Sequence, residues 1–242
     1  MLYFRVLKRE PMKKYQHIFF DLDRTLWDFD TNSRASIDYL IDKYDLEKKG
    51  VPSKDEFWDL YTEINNGLWD KYRKGTIRKA ELKVLRYELV LRRFGIFNKE
   101  MAEIFGREYL EVLPTKNSVF PGTHELLEYL KPKYPMHIIT NGFEEVQEKK
   151  MELAGLNSFF NVVITSEAAG VRKPDEGIFR YAMEQTGAEP ESSLMIGDDL
   201  PVDILGAKDF GMDQIYFNPQ RLIHSENITY EVETLLEIKN IL

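Results

Sequence analysis

The chain has 242 residues, 43% of them hydrophobic and 31% charged, enough for a real core in one large or two modest domains. The net charge of -8 argues against nucleic acid and anionic membranes as partners. There is no cysteine, which excludes a disulfide framework, thiol catalysis and cysteine metal sites, and fits a reducing compartment. No apolar run approaches the ~18–20 residues that span a bilayer, and Met1 to Pro11 lack the apolar stretch of a signal peptide. The reading is a cytoplasmic protein with an N-terminal extension over residues 1–11, ahead of a domain that starts near Met12.

The first apolar run, His17-Ile18-Phe19-Phe20, is read as a buried strand and leads into Asp21-Leu22-Asp23-Arg24-Thr25. Residues i and i+2 of an extended segment face the same way, so Asp21 and Asp23 are expected on one side. Two such carboxylates repel unless a cation or shared proton relieves them, and Mg²⁺ suits hard oxygen ligands. Alone, such a pair more often caps a helix or shapes a turn.

Residues 30–115 carry a different pattern. Ile37, Leu40, Ile41 and Tyr44 recur at helical spacing, as do Phe57, Leu60, Tyr61, Ile64 and Leu68. Leu82, Leu85 and Leu89 mark a third amphipathic helix, and Met101, Ile104, Phe105, Tyr109 and Val112 a fourth. The segment reads as an all-helical insert without strands. Its crossings, near Trp27–Ser33 and Leu113–Phe120, are the natural hinge.

From about Phe120 onward, short apolar runs alternate with helices, which implies a parallel sheet covered on both faces. Thr123 is the expected N-cap of the first helix. Met136-His137-Ile138-Ile139 runs into Thr140-Asn141-Gly142, a hydroxyl and backbone donors for a phosphoryl oxygen or simply a turn. Helices are expected over 143–154, 174–186 and 200–210, each followed by glycine, with Pro174 in the first turn of the second. Asn161 to Thr165 precedes Arg172-Lys173-Pro174-Asp175, where Lys173 either neutralises a phosphoryl group or is solvated at a helix start. Leu194-Met195-Ile196-Gly197 runs into Asp198, Asp199 and Asp203, and a helix dipole accounts for one or two of these three acids by itself. Gln214 to Phe217 is a fifth strand, and Val232, Leu235 and Leu236 suggest a last helix docked on the core.

In an open α/β sheet, ligands bind at the carboxyl ends of the strands. The order of these elements therefore places carboxylates, a hydroxyl and an ammonium at one rim, a set suited to a divalent cation and a phosphoryl group.

Together the four segments resemble the motifs of the haloacid dehalogenase-like hydrolase superfamily over essentially the whole chain, and the insert resembles the small helical cap of its first cap class. The resemblance implies an α/β fold, a Rossmann-like parallel sheet with helices on both faces, built from residues 12–29 and 116–242, with an all-helical cap over 30–115. It implies a phosphatase in which Asp21 is the nucleophile and Asp23 the general acid and base. Thr140, Asn141 and Lys173 would contact the phosphoryl group. Mg²⁺ would be held by Asp21, Asp198 and the Asp23 backbone carbonyl, with Asp203 and Asp199 behind them.

Dehalogenases of the superfamily lack an aspartate at the position of Asp23, so a phosphatase ranks above a dehalogenase. Arg24 stands where glycine is usual. Arg24-Thr25-Leu26-Trp27-Asp28-Phe29 and the stretch from Asn66 to Tyr87 are similar to 5'-nucleotidases acting on pyrimidine nucleoside monophosphates. In that reading Arg24, Trp69, Tyr72 and Arg86 are candidate substrate contacts. The partner expected is a small phosphorylated metabolite, taken by a monomer. Alternatives are a phosphoglycolate or sugar-phosphate phosphatase, a phosphomutase, and last a non-catalytic regulator. His17, His124, His137 and His224 match no motif and read as structural.

Overall fold

Alternation along the first strand sets the architecture. In β1 (His17–Phe20), Ile18 and Phe20 point into one apolar cluster and Phe19 into another. The same division holds in β2 (Met136–Thr140), where Ile138 and Ile139 part company, and in β4 (Ser193–Gly197), where Leu194 and Ile196 oppose Met195. A sheet apolar on both faces must be covered on both, as in all-parallel sheets. A computed structural model describes residues 14–242. The extension over 1–11 and the start near Met12 lie outside the described residues.

With β3 (Val162–Thr165), β5 (Asp213–Phe217) and β6 (Tyr230–Val232), the strands pair in the order β3-β2-β1-β4-β5-β6, all parallel. The chain adds β2 and β3 on one side of β1, then β4, β5 and β6 on the other. This reversal opens a crevice beyond the carboxyl ends of β1 and β4.

Four helices follow β1 in sequence: α1 (Phe29–Lys43), α2 (Lys54–Arg73), α3 (Lys79–Arg93) and α4 (Lys99–Val112). Asp28, Ser53 and Asn98 cap α1, α2 and α4 by accepting hydrogen bonds from the first-turn backbone N–H groups of Thr31, Glu56 and Met101. Phe57, Tyr61, Tyr87, Phe105 and Tyr109 fill the space between them. As expected, these helices form a cap without strands. The two crossings are tied to each other: Asp28 N–H donates to Ser118 O, Phe120 N–H donates to Leu26 O, and the Asn32 side chain bonds Ser118 in both directions. Trp27 is fully buried at this junction.

On the sheet, α5 (Thr123–Leu130) and α6 (Glu144–Leu153) cover one face. The short α7 (Ser166–Ala169) follows β3, and α8 (Glu176–Thr186) and α9 (Leu205–Phe210) cover the other face. Glycines 187 and 211, at φ 66° and 101°, stop α8 and α9 in the left-handed conformation that glycine adopts without strain.

Several local expectations are corrected. Gly122, not Thr123, occupies the N-cap of α5, and the Thr123 hydroxyl donates to Leu26 O instead. Pro174 follows a cis peptide bond and precedes α8, whose cap is Asp175. The π-helical turn Leu200–Ile204 leads into α9. The expected last helix is a strand followed by a 3₁₀ helix: Val232 lies in β6, and Leu235–Asn240 winds three residues per turn. That period puts Leu235 and Ile238 on the buried side and turns Leu236 outward. No helix among the described residues is long and apolar enough to cross a membrane.

Candidate active site

Asp21 extends the β1 ladder by one bond, its N–H donating to Ile196 O at 2.9 Å. Its side chain turns to the face covered by α8 and α9. There Lys173 Nζ lies 2.6 Å from Asp21 Oδ1, 2.7 Å from Asp203 Oδ1 and 2.6 Å from Ile139 O. An ammonium has three protons, and all three are used. Lys173 is 1% exposed, so the solvated reading of this lysine fails. Burial works against its charge, but the Asp203 and Asp21 carboxylates hold its pKa above the ordinary lysine value.

Asp203 is committed on both sides: Oδ1 pairs with Lys173 and Oδ2 accepts from Asp199 N–H at 3.1 Å. It packs so closely under Gly197 that a Cβ there would lie 2.5 Å from Asp203 Cβ. Gly197→Ala is expected to cost about 1–3 kcal/mol of stability by forcing this carboxylate away from Lys173. A urea melt equal to the parent's would contradict that tight approach.

Asp21, Asp198 and Asp203 bring carboxylate oxygens within 4.8 Å of one another. Asp198 Oδ1 accepts from Thr25 Oγ1 at 3.0 Å. Burial, then Asp203 and Asp21, push Asp198 well above the carboxylate range. Burial likewise pushes Asp21 up to about 7 in spite of Lys173, because Asp203 and Asp23 add repulsion. With Asp203 occupied, Asp21 and Asp198 are left as an oxygen-only pair short of positive charge, which fits a Mg²⁺ ion. Asp199 caps the π-helical turn by accepting from Val202 N–H, and lines the crevice beside them.

Those raised values have a consequence for stability. The folded chain keeps a proton on Asp21 that the unfolded chain sheds near 3.8, so metal-free stability falls as pH rises from there to about 7. A bound divalent cation removes the penalty. Mg²⁺ is therefore expected to raise Tm over an EDTA-treated sample by about 3 °C or more near pH 7.5, and by less near pH 5. No shift near pH 7.5 would contradict a cation site here.

The two acids of the first motif do not face the same way. β1 ends at Phe20, and the chain turns with Leu26 and Trp27 N–H donating back to Leu22 O. Asp23 thereby reaches α6, on the other face of the sheet: Oδ1 is 2.6 Å from Lys150 Nζ and Oδ2 accepts from Gln147 Nε2 at 2.8 Å. Both aspartates still line one crevice. Lys150 is 2% exposed and its ammonium sits 4.3 Å from the Trp27 ring centroid; burial pushes its pKa down.

Neither Gln147 nor Lys150 stands out in the sequence. The available signal is their i, i+3 spacing on the inward stripe of α6, between Val146 and Met151.

Thr140 Oγ1 accepts from Gln147 Nε2 at 2.8 Å and from Gly142 N–H at 3.1 Å. Both lone pairs are thus occupied, and the hydroxyl proton is left to donate into the crevice. Asn141 is different: its side chain bonds the Lys173 backbone in both directions, at 2.9 and 3.0 Å, and so clamps the β2 loop to the Lys173 loop. Its side chain is committed to that clamp rather than to an anion.

The crevice, about 290 Å³, extends from these residues to the cap. Arg24 lines it, at φ 64°, with its guanidinium on Asp30 at 2.8 Å and 4.7 Å from the Phe29 ring centroid. Trp69 lines it too, stacked on Phe143 at 5.5 Å. Tyr72 and Arg86 do not. Tyr72 is buried beneath the Arg172 guanidinium, and Arg86 is buried inside the cap against Tyr87 and Tyr109. Asn65, Asn66, Asp70 and Arg73, none of them among the candidate contacts read from the sequence, complete the cap side along α2. No histidine lines the crevice; His17 and His137 stack on each other in the sheet.

An open parallel sheet, a helical cap over its switch point, and acids, a hydroxyl and a buried lysine on successive strand ends define the class. The haloacid dehalogenase-like hydrolase family profile matches residues 15–211, and the chain belongs to that family. It is 32% identical to the pyrimidine 5'-nucleotidase YjjG of Escherichia coli, with 95% of this chain and 98% of that one covered. It is 31% identical to the pyrimidine 5'-nucleotidase PynA of Streptococcus pneumoniae, covering 94% and 97%. Its fold superposes with a TM-score of 0.85 on the magnesium-bound crystal structure of the HAD-hydrolase YfnB from Bacillus subtilis, 28% identical, covering 95% of this chain and 99% of that one.

Proposed function

We propose that the protein is a Mg²⁺-dependent phosphatase that hydrolyses nucleoside 5'-monophosphates, pyrimidine nucleotides foremost, through an aspartyl-phosphate on Asp21. The observation that carries the reading is the buried Asp21–Lys173–Asp203 array at the end of β1, with Thr140, both hydroxyl lone pairs already taken, lining the same crevice. Pyrimidine nucleotides are named because two full-length relatives bear that activity in their names.

In the first step an Asp21 carboxylate oxygen attacks phosphorus, the bond to the leaving oxygen breaks, and Asp23 gives that oxygen its proton. In the second step water attacks phosphorus, its proton passes to Asp23, and the bond to Asp21 breaks to release phosphate. Dividing one displacement in two is the use of a covalent nucleophile. Lys173 holds Asp21 in place and offsets its charge, and Asp203 holds Lys173. Thr140 donates to a phosphoryl oxygen. Lys150 and Gln147 fix the Asp23 carboxylate. Mg²⁺ on Asp21, Asp198 and the Asp23 carbonyl would supply charge stabilisation, which with positioning is most of what phosphoryl transfer requires. The cap, over about residues 30–115, would exclude water from the first step.

The test is phosphate release, with Mg²⁺, from UMP, dUMP, dTMP, AMP, phosphoglycolate and glucose phosphates. Release concentrated on the pyrimidine nucleotides is expected. Release from the other esters alone would keep the phosphatase and overturn the nucleotidase.

A further inference from the structure

Arg86 is the anomaly of the cap. It is 2% exposed, has no carboxylate partner among the described residues, and leaves Nε and Nη2 without a hydrogen bond. Its guanidinium lies 4.9–5.0 Å from the ring centroids of Tyr109 and Tyr87. Nη1 donates to Asn65 Oδ1 at 3.2 Å. Burying a cation this way is costly, and nothing in the packing of four amphipathic helices requires it.

The bond has a chemical consequence. A guanidinium carries donors only and stays charged, so the amide of Asn65 must turn its oxygen toward Arg86. Amide orientation is usually ambiguous, but here the neighbour decides it. The Asn65 nitrogen is thereby directed away from Arg86. Asn65 lines the crevice and Arg86 does not, and among the described residues the amide nitrogen has no acceptor. The 65, 69, 73 spacing of α2 sets Asn65 beside Trp69, one turn on, along the same cavity wall.

We infer that Asn65, oriented by Arg86, is a specificity-determining residue that donates a hydrogen bond to a ring carbonyl of the substrate's nucleobase as the base lies along Trp69. Arg86 is a positioning residue acting through Asn65. The inference rests on the nucleotidase reading and names the contact that would select within it. A site built to hydrogen-bond a group discriminates strongly against analogues that lack the group.

The test compares kcat/KM for UMP with that for ribose 5-phosphate, which has the sugar and phosphate without the base. The parent enzyme is expected to prefer UMP. Asn65→Asp keeps an acceptor for Arg86, and should fold because it places a carboxylate against a buried guanidinium, but it removes the donor. It is expected to lower the UMP to ribose 5-phosphate ratio by about tenfold or more. Arg86→Lys, also donor-only, is expected to hold the ratio better than Arg86→Gln, whose own oxygen allows the Asn65 amide to turn over. A general loss of cap packing would depress both substrates together and leave the ratio unmoved. An unchanged ratio in Asn65→Asp, with the parent preferring UMP, overturns the inference alone. A parent with no preference for UMP overturns the nucleotide reading and the inference together.

Discussion

Asp21→Asn is expected to lower phosphate release from the best phosphate-ester substrate by about 10⁴-fold or more, the scale on which removal of a nucleophile that works as part of a unit is felt. The substitution is nearly isosteric, and the buried setting explains why it is not also a folding defect. Asp21 sits against Asp203 and Asp198, and its pKa is already pushed up to about 7 by burial, with Asp203 and Asp23 adding repulsion against the pull of Lys173. Removing one carboxylate relieves repulsion in the metal-free protein, while Lys173 keeps Asp203 and Ile139 O as acceptors. The expected variant is therefore inactive, folded and at least as stable as the parent in EDTA, with a smaller thermal response to Mg²⁺. Steady-state assays with a melt in each buffer check all three. Residual activity within tenfold of the parent would remove Asp21 from the reaction.

Asp23→Asn is expected to cost about 10²–10⁴-fold with nucleotides, the usual range for a lost general acid and base. The size of the loss depends on the leaving group. p-Nitrophenolate departs without a proton, so the first step with p-nitrophenyl phosphate survives the substitution. The second step still lacks its base. The variant is then expected to release a burst of p-nitrophenol and to accumulate phosphorylated enzyme, followed by slow turnover. Equal losses with both substrates and no burst would show that Asp23 positions groups without transferring protons. Lys150 and Gln147 bear on the same point, since they hold both Asp23 oxygens at 2.6 and 2.8 Å and make its geometry depend on α6.

How much of this was legible in the sequence follows from what each residue contacts. Asp21, Thr140 and Asp198 stand at or just past the ends of short apolar runs, and such runs are buried strands whose carboxyl ends meet at the switch point; order alone brought them together. Lys173 was ambiguous because its burial depends on how the loop before α8 packs on the ends of β1 and β2, which spacing does not report. Gln147 and Lys150 read as ordinary members of a charged helix, and only the register of α6 on the sheet turns them inward. The direction of Asp23 was misread because β1 ends one residue before Asp21 and the chain turns, so the two-residue period does not carry through. In the cap, the resemblance to nucleotidases marked Tyr72 and Arg86, and it does not say which side of the helix meets the crevice. The structure buries both and puts Asn65, Asn66 and Arg73 along it. β6 was missed because three residues, Tyr230–Val232, are too few to display alternation.

Whether phosphate passes through Asp21 is tested most directly by acid quench during turnover of a ³²P-labelled nucleotide, followed by peptide mapping. The expected result is acid-stable, hydroxylamine-labile label on the peptide that contains Asp21, absent from Asp21→Asn. Full phosphate release with no labelled peptide at any time, and with inversion at a chiral phosphorus, would mean that water attacks the substrate directly and that Asp21 is not the nucleophile.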